Sequence, residues 1–450
     1  MLDQLSPDEL VALVRRVFAP REGDRRLLVM VDLPDARTPD SPQWRARREM
    51  AAGWASTLAA QERALGLAAD FAVYPNVGSN NGDLPDSMWL VQPGQLPADA
   101  GALASAAGTP LERVLAEHTI VLAPTEFSAT APLKLLARRL GFRAATMGGF
   151  SPAMVPALRL DFGEVRRRVA LLKDLLDLAS EVRITFAVDG GADETFMLDL
   201  RHRMAHASDG ILDVPGVAGN LPSGEAYIVP YEGEIEGDPS YTAGVLPVQF
   251  GGDVLRYHVE GNVARRVDGE GAACAREAAA LADEPAYGNI AELGLGVLAD
   301  LGVQPTGAIL LDEKLGLHVA FGRSAGLRLQ LSGSDAMALA LGPDSSGTRA
   351  LAEGRAEDIV RAAFSPDQSA LERVLLTVEH GWAPELRRVV AAHERAHGPL
   401  VDAVVTGTVA LPWLNKGQRT YVQLHSKRGD SDLALGWLAG ANSSESASRA

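Results

Sequence analysis

The chain has 450 residues, 47% of them hydrophobic and 22% charged, with a net charge of −16 at pH 7. That length can fill at least two cores, and no apolar run reaches the roughly 20 residues of a membrane span. The acidic balance, with no basic stripe interleaved with aromatics, excludes nucleic acid and anionic membrane surfaces as expected partners. A single cysteine, Cys274, excludes an internal disulfide and fits a reducing cytoplasm, the expected location.

Ser6-Pro-Asp-Glu9 is a helix-starting signal, followed by an apolar face through Leu10, Leu13, Val14 and Val17. Its acidic first turn is unlike the basic-then-apolar pattern of a secretory leader, so none is expected. The run Leu27–Val31 predicts a buried strand that ends at the turn Asp32-Leu-Pro-Asp35. A helix over about Trp44–Leu65 and a strand at Phe71–Tyr74 follow. Strand Thr119–Ala123, helix Ala131–Leu140 and strand Arg143–Met147 repeat the theme. Such alternation predicts a parallel sheet with helices on its faces, an α/β domain over 1–160.

After an amphipathic helix at Asp161–Leu178 the pattern changes. Short strands at Glu181–Phe186, Thr195–Leu200, Ala226–Val229 and Leu246–Phe250, separated by Gly and Pro turns, predict an antiparallel α+β domain over 161–335. A C-terminal extension over 336–439 is expected to carry helices near 347–364, 367–379 and 383–397. A hairpin of Val401–Leu411 with Arg419–Leu424 would close it. Residues 440–450 are small and polar, an expected disordered tail.

The segment Ala218-Gly-Asn-Leu-Pro-Ser-Gly-Glu-Ala-Tyr-Ile-Val-Pro230 is the most informative. Glu181-Val-Arg-Ile-Thr, Phe196–Arg201 and Asp209-Gly210 precede it, and Glu232–Gly237 follows. Further on come Asn289-Ile-Ala-Glu-Leu-Gly294 and Leu311–Ser324. In order and spacing these segments resemble the aminopeptidase T family of metallopeptidases. The 1–160 region resembles it more loosely, and the chain beyond 335 does not. The resemblance implies a two-metal peptidase site built from two glutamates, a histidine and a terminal His-x-Asp strand, with an assisting tyrosine. By resemblance Glu225 and Glu292 are the carboxylates and His318 the first imidazole.

The remaining positions depart from that pattern. In Gly326–Gly333, Arg328 falls where the second histidine belongs and Gln330 where the aspartate belongs, while Ala325 falls near the tyrosine position. Arginine cannot deprotonate to ligate a metal, yet its guanidinium can neutralise converging carboxylates by bidentate hydrogen bonds. The expectation is therefore a metal-free, non-hydrolytic peptide pocket formed by Glu225, Glu292, His318, Arg328 and Gln330. Its expected setting is a cytoplasmic homodimer that presents or protects a peptide for a modifying enzyme. The alternative is an active peptidase holding zinc or another divalent metal on Glu225, Glu292 and His318. A plainer reading makes these three residues structural hydrogen-bonding groups.

A second metal signal is His393-Glu-Arg-Ala-His397, which matches the zincin pattern of two imidazoles one helical turn apart, with Glu394 as base. Arg395 and the helix-ending Gly398-Pro399 favour a solvated helix face instead. Gly294-Leu-Gly-Val-Leu-Ala299 resembles a truncated dinucleotide fingerprint, but no convincing strand precedes it, and nucleotide binding is set aside. His202, His206 and His258 are isolated in sequence and expected to be surface or satisfied core residues.

Overall fold

The computed structural model describes residues 4–187, 194–235, 237–250, 253–283, 288–321, 419–426 and 432–434. The opening helix, Pro7–Phe18, starts as expected. The Ser6 hydroxyl accepts from the Glu9 N–H while the Glu9 carboxylate accepts from the Ser6 N–H at 2.8 Å, and Pro7 fills the first turn. Leu10, Leu13, Val14, Val17 and Phe18 bury one face. The second helix, Pro42–Ala60, is capped by the Ser41 hydroxyl and is followed by a short turn of helix at Glu62–Leu65. Gln61, which ends the longer helix, thus divides the single helix expected to reach Leu65.

The strands of the first sheet are β1 (Arg26–Leu33), β2 (Ala68–Pro75), β3 (Ser87–Leu90), β4 (Thr109–Pro110), β5 (Ile120–Ala123) and β6 (Arg143–Thr146). The chain then forms β7 (Ala179–Ala187), β8 (Glu194–Asp199) and β9 (His206–Ser208) before β10 (Ala218–Asn220) returns to the first sheet. The first sheet has the order β10-β6-β5-β1-β2-β3-β4. β1 runs parallel to β2 and to β5, β5 to β6 and β6 to β10, whereas β3 is antiparallel to β2. Flanked by parallel neighbours, β1 is buried on both faces from Leu27 to Leu33; the apolar run Leu27–Val31 lies within it, and the strand continues through Asp32 and Leu33, where the sequence predicts a turn. Leu28, Met30, Val121 and Ala144 share one core cluster with Leu133 and Phe142.

At the carboxyl end of β1, Asp32 is fully buried. Its Oδ1 accepts from the Glu126 N–H at 2.7 Å and its Oδ2 from the Phe127 N–H at 3.0 Å, tying β1 to the loop after β5. The Trp44 indole N–H reaches Oδ1 at 3.2 Å. Burial pushes the carboxyl up to about 6, with the two backbone donors and the Arg47 charge opposing it.

The second half of the fold holds β11 (Glu225–Ile228), β12 (Ala243–Phe250), β13 (Asp253–Glu260), β14 (Val263–Asp268), β15 (Ile290–Gly296), β16 (Leu317–Phe321), β17 (Arg419–Ser426) and β18 (Asp432–Ala434). A large sheet of order β14-β13-β12-β8-β7-β17-β18 is antiparallel in every pairing described. β13, not anticipated in the sequence, has the period of two of a half-buried strand, with Leu255, Tyr257 and Val259 buried between more exposed neighbours. The chain thus combines an α/β parallel-sheet region with α+β antiparallel sheets, as its sequence predicts. Helix Phe162–Leu178 connects the two patterns.

By its contacts the chain divides into two units, each assembled from separate segments. One is 1–166, 208–224 and 303–315; the other is 167–207, 225–302 and 316–450. Of the expected C-terminal hairpin, Arg419–Leu424 lies within β17, which pairs with β7 and β18. Val401–Leu411 and the helices expected at 347–397 fall outside the described residues. Among the described residues no helix is long and apolar enough to cross a membrane.

Candidate metal centre

The third sheet has the order β16-β15-β11-β9, and its register decides which side chains meet. Glu225 pairs with Gly296 and Tyr227 with Gly294 across β11 and β15. Gly294 pairs in turn with His318, and Glu292 with Ala320, across β15 and β16. Because side chains alternate along a strand, Glu225, Tyr227, Glu292, Gly294, Gly296 and His318 all belong to one face. A bulge between Ile290 and Glu292 ends the regular pairing just before Glu292.

On that face the three residues expected from the sequence converge. His318 Nε2 lies 3.3 Å from Glu292 Oε1 and 3.4 Å from Glu225 Oε2. The other ring nitrogen, Nδ1, is 3.1 Å from the Gly316 carbonyl oxygen. A carbonyl oxygen only accepts, so Nδ1 carries the proton in that contact, which also fixes the ring's orientation. Nε2 is left facing two carboxyl groups, so either a proton, on the ring or on a carboxyl, or a cation stands among the three groups. The Glu225 side chain is 5% exposed, whereas His318 and Glu292 are at 18% and 24%, so access is from the β15–β16 side.

Glu225, Glu292 and His318 each offer a ligand atom within 4.8 Å of the others, and among the described residues no other group of His, Cys, Asp and Glu does so. The donor set fits a divalent cation. Two ligands about 2.1 Å from one ion at a near-tetrahedral angle lie about 3.4 Å apart, which matches the separation of His318 Nε2 from each carboxylate. A charge-assisted imidazolium–carboxylate hydrogen bond would be shorter, about 2.7–2.9 Å. One imidazole and two carboxylates suit zinc, manganese, cobalt or iron better than calcium, which takes six to eight oxygens.

Tyr227 borders the same group. Desolvation first, then the negative charges of Glu292 and Glu225, raise its phenol above the ordinary value, so it stays protonated and can donate. Its ring stacks on His206 from β9, with centroids 5.1 Å apart and planes 30° apart. His206 is therefore neither isolated nor remote from the site. His202 likewise meets Asp238 at 3.1 Å, and His258 meets Asp268 at 2.8 Å. The signal for Tyr227 was its place two residues after Glu225 on a strand. For His206 no local pattern exists, because its neighbour lies 21 residues on. Gly294 and Gly296, read in sequence as a fingerprint fragment, sit inside β15 rather than in a strand-to-helix turn. Arg328 and Gln330 lie outside the described residues, as do His393, Glu394 and His397.

No family model matches the sequence, and no curated protein matches it. Five solved chains do. One is 2,5-dihydroxypyridine dioxygenase from Pseudomonas putida KT2440, at 17% identity and a TM-score of 0.44, covering 72% of this chain and 85% of that one. Another is wild-type AmpT from Thermus thermophilus, at 16% identity and a TM-score of 0.37, covering 71% of this chain and 85% of that one. At such identities and TM-scores the chemistry has to come from the residues themselves.

Proposed function

We propose that this chain is a metal-dependent enzyme in which Glu225, Glu292 and His318 hold one divalent cation of the zinc or manganese type. Peptides are its proposed substrate class, the class implied by the resemblance of residues 218–230 and 311–324 to aminopeptidase T. One observation carries the cation: the spacing of His318 Nε2 from both carboxylates suits shared ligands and is too long for strong ion-pair hydrogen bonds. A cation held by three protein ligands keeps open positions, where it polarises a carbonyl oxygen and makes water more acidic.

The chain's own residues divide the remaining work. Buried Glu225 fixes one side of the centre, and the Gly316 carbonyl keeps the His318 ring turned toward it. Glu292, with the most exposed side chain of the three, is the carboxylate placed to take a proton from an incoming group. The Tyr227 hydroxyl, on the same face two residues after Glu225, supplies a hydrogen-bond donor for developing negative charge.

The second reading is the non-hydrolytic peptide holder, with a guanidinium in place of the cation. It is favoured by Arg328 and Gln330 standing in sequence where ligands are expected. Titration calorimetry with Zn²⁺ and Mn²⁺, beside hydrolysis of short peptides, separates the two. The cation reading expects about one equivalent bound, lost in Glu225→Ala, with hydrolysis that chelator abolishes. Peptide binding without metal, weakened in Arg328→Ala, would transfer the assignment to the second reading.

A further inference from the structure

Gly294 lies at the middle of the cross-strand row Tyr227–Gly294–His318. Its φ is outside the left-handed region, so the backbone there would accept any residue. Space is what it lacks. A Cβ added at Gly294 would stand 2.0 Å from His318 Nε2, 2.1 Å from Cε1 and 2.9 Å from Cδ2. The imidazole thus occupies the volume that a side chain on β15 would fill, and lies over that strand instead of standing beside it.

From this geometry we infer that Gly294 is a positioning residue of the centre: its missing side chain lets His318 reach across β15 and set Nε2 between Glu225 and Glu292. The inference rests on the cation reading for its purpose and on the register and the clash distances for its substance. Glu292 precedes Gly294 by two residues, and Glu225 pairs with Gly296, two residues beyond it. Nε2 over Gly294 is therefore diagonal to both carboxylates, one on either side. The ring could relieve a methyl group at 294 by turning about its own side-chain bonds. Any such turn draws Nε2 away from the carboxylates and strains the Nδ1 hydrogen bond to Gly316.

The test uses the full chain with Gly294→Ala and His318→Ala, singly and together. In calorimetry, Gly294→Ala should weaken Zn²⁺ binding by about tenfold to a hundredfold, the usual cost of disturbing a group that orients a ligand. Thermal unfolding with chelator present gives a second readout, independent of metal. Gly294→Ala should lower the midpoint in the parent and leave it unchanged, or raise it, in the His318→Ala background, where the space is open. Should Gly294→Ala fail to fold, folding restored by adding His318→Ala supports the same conclusion, and no restoration overturns it. Parent-like Zn²⁺ affinity in Gly294→Ala, or equal midpoint losses in both backgrounds, also overturns it. If the parent chain binds no cation, the cation reading fails by itself, and the unfolding cycle still decides whether Gly294 makes room for His318.

Discussion

In the first sheet, β1 runs through seven consecutive buried residues, Leu27 to Leu33, between parallel neighbours. In the four-stranded sheet, one face of β11, β15 and β16 carries two glutamates, a histidine, a tyrosine and two glycines. The first arrangement gains stability from every apolar side chain it buries, at about 1.5–3 kcal/mol for a fully buried aliphatic group. The second brings two carboxylates together around one imidazole and leaves a gap at Gly294 for the ring. Removing a side chain should therefore have opposite consequences in the two places.

The largest effect should come from the first sheet. Leu28→Ala removes a side chain with no exposure from the cluster that also holds Met30, Val121 and Phe142. Urea unfolding should show a loss of about 2–5 kcal/mol. Zn²⁺ affinity of the remaining folded protein should be unchanged. If affinity fell in step with stability, the two regions would not be separable in this way.

How far the sequence foretold this contrast differs between the regions. Local signals carried the first: the Ser6–Glu9 capping box, the run Leu27–Val31 and the alternation of strands with helices each correspond to an observed element. β10 escaped because Ala218-Gly-Asn has no strand signature of its own; it pairs with β6, more than 70 residues earlier, and only the closed sheet reveals it. Also missed were β14 and the helix Gly271–Asp283, an alanine-rich stretch without the expected face pattern. In the site, Glu225, Glu292 and His318 were singled out by resemblance, and their convergence follows from register. Gly294 could not be understood beforehand, since a steric gap across two strands leaves no mark in a linear pattern.

A middle-sized effect should appear with pH. Asp32 titrates at about 6 in the folded protein against an ordinary value of 3.8. Between those values the folded state holds a proton that the unfolded chain has released. The contribution of Asp32 to stability is therefore fully present below about pH 4 and is lost as pH rises through 6, amounting to about 2–3 kcal/mol. Asp32→Asn cannot titrate. Its stability relative to the parent should rise by that amount between pH 4 and 7, whatever the fixed cost of the changed hydrogen bonds. A relative stability that instead fell over this interval would mean that the Glu126 and Phe127 N–H donors, with Arg47, keep the carboxylate ionised, so that burial does not dominate.

The smallest effect is the one that tests the contrast most directly, because its sign should change. Glu225→Gln keeps the shape of the side chain and removes one of two negative charges that share a space of 4.8 Å with His318. Without a cation, one proton shared among the three groups offsets only one of the two carboxylates, and buried Glu225 loses solvation besides, a common cost where side chains are arranged for function. With chelator present, Glu225→Gln should therefore unfold at a higher urea concentration than the parent, by about 1 kcal/mol. Adding Zn²⁺ should reverse the order. A cation at a hundred times its dissociation constant stabilises the parent by about 2.7 kcal/mol, and the variant, short of one ligand, gains less. Destabilisation of similar size with and without Zn²⁺ would instead make Glu225, Glu292 and His318 a hydrogen-bonded element of the sheet. Leu28 and Glu225 would then differ in polarity alone, and the face of β11, β15 and β16 would obey the same rule as β1.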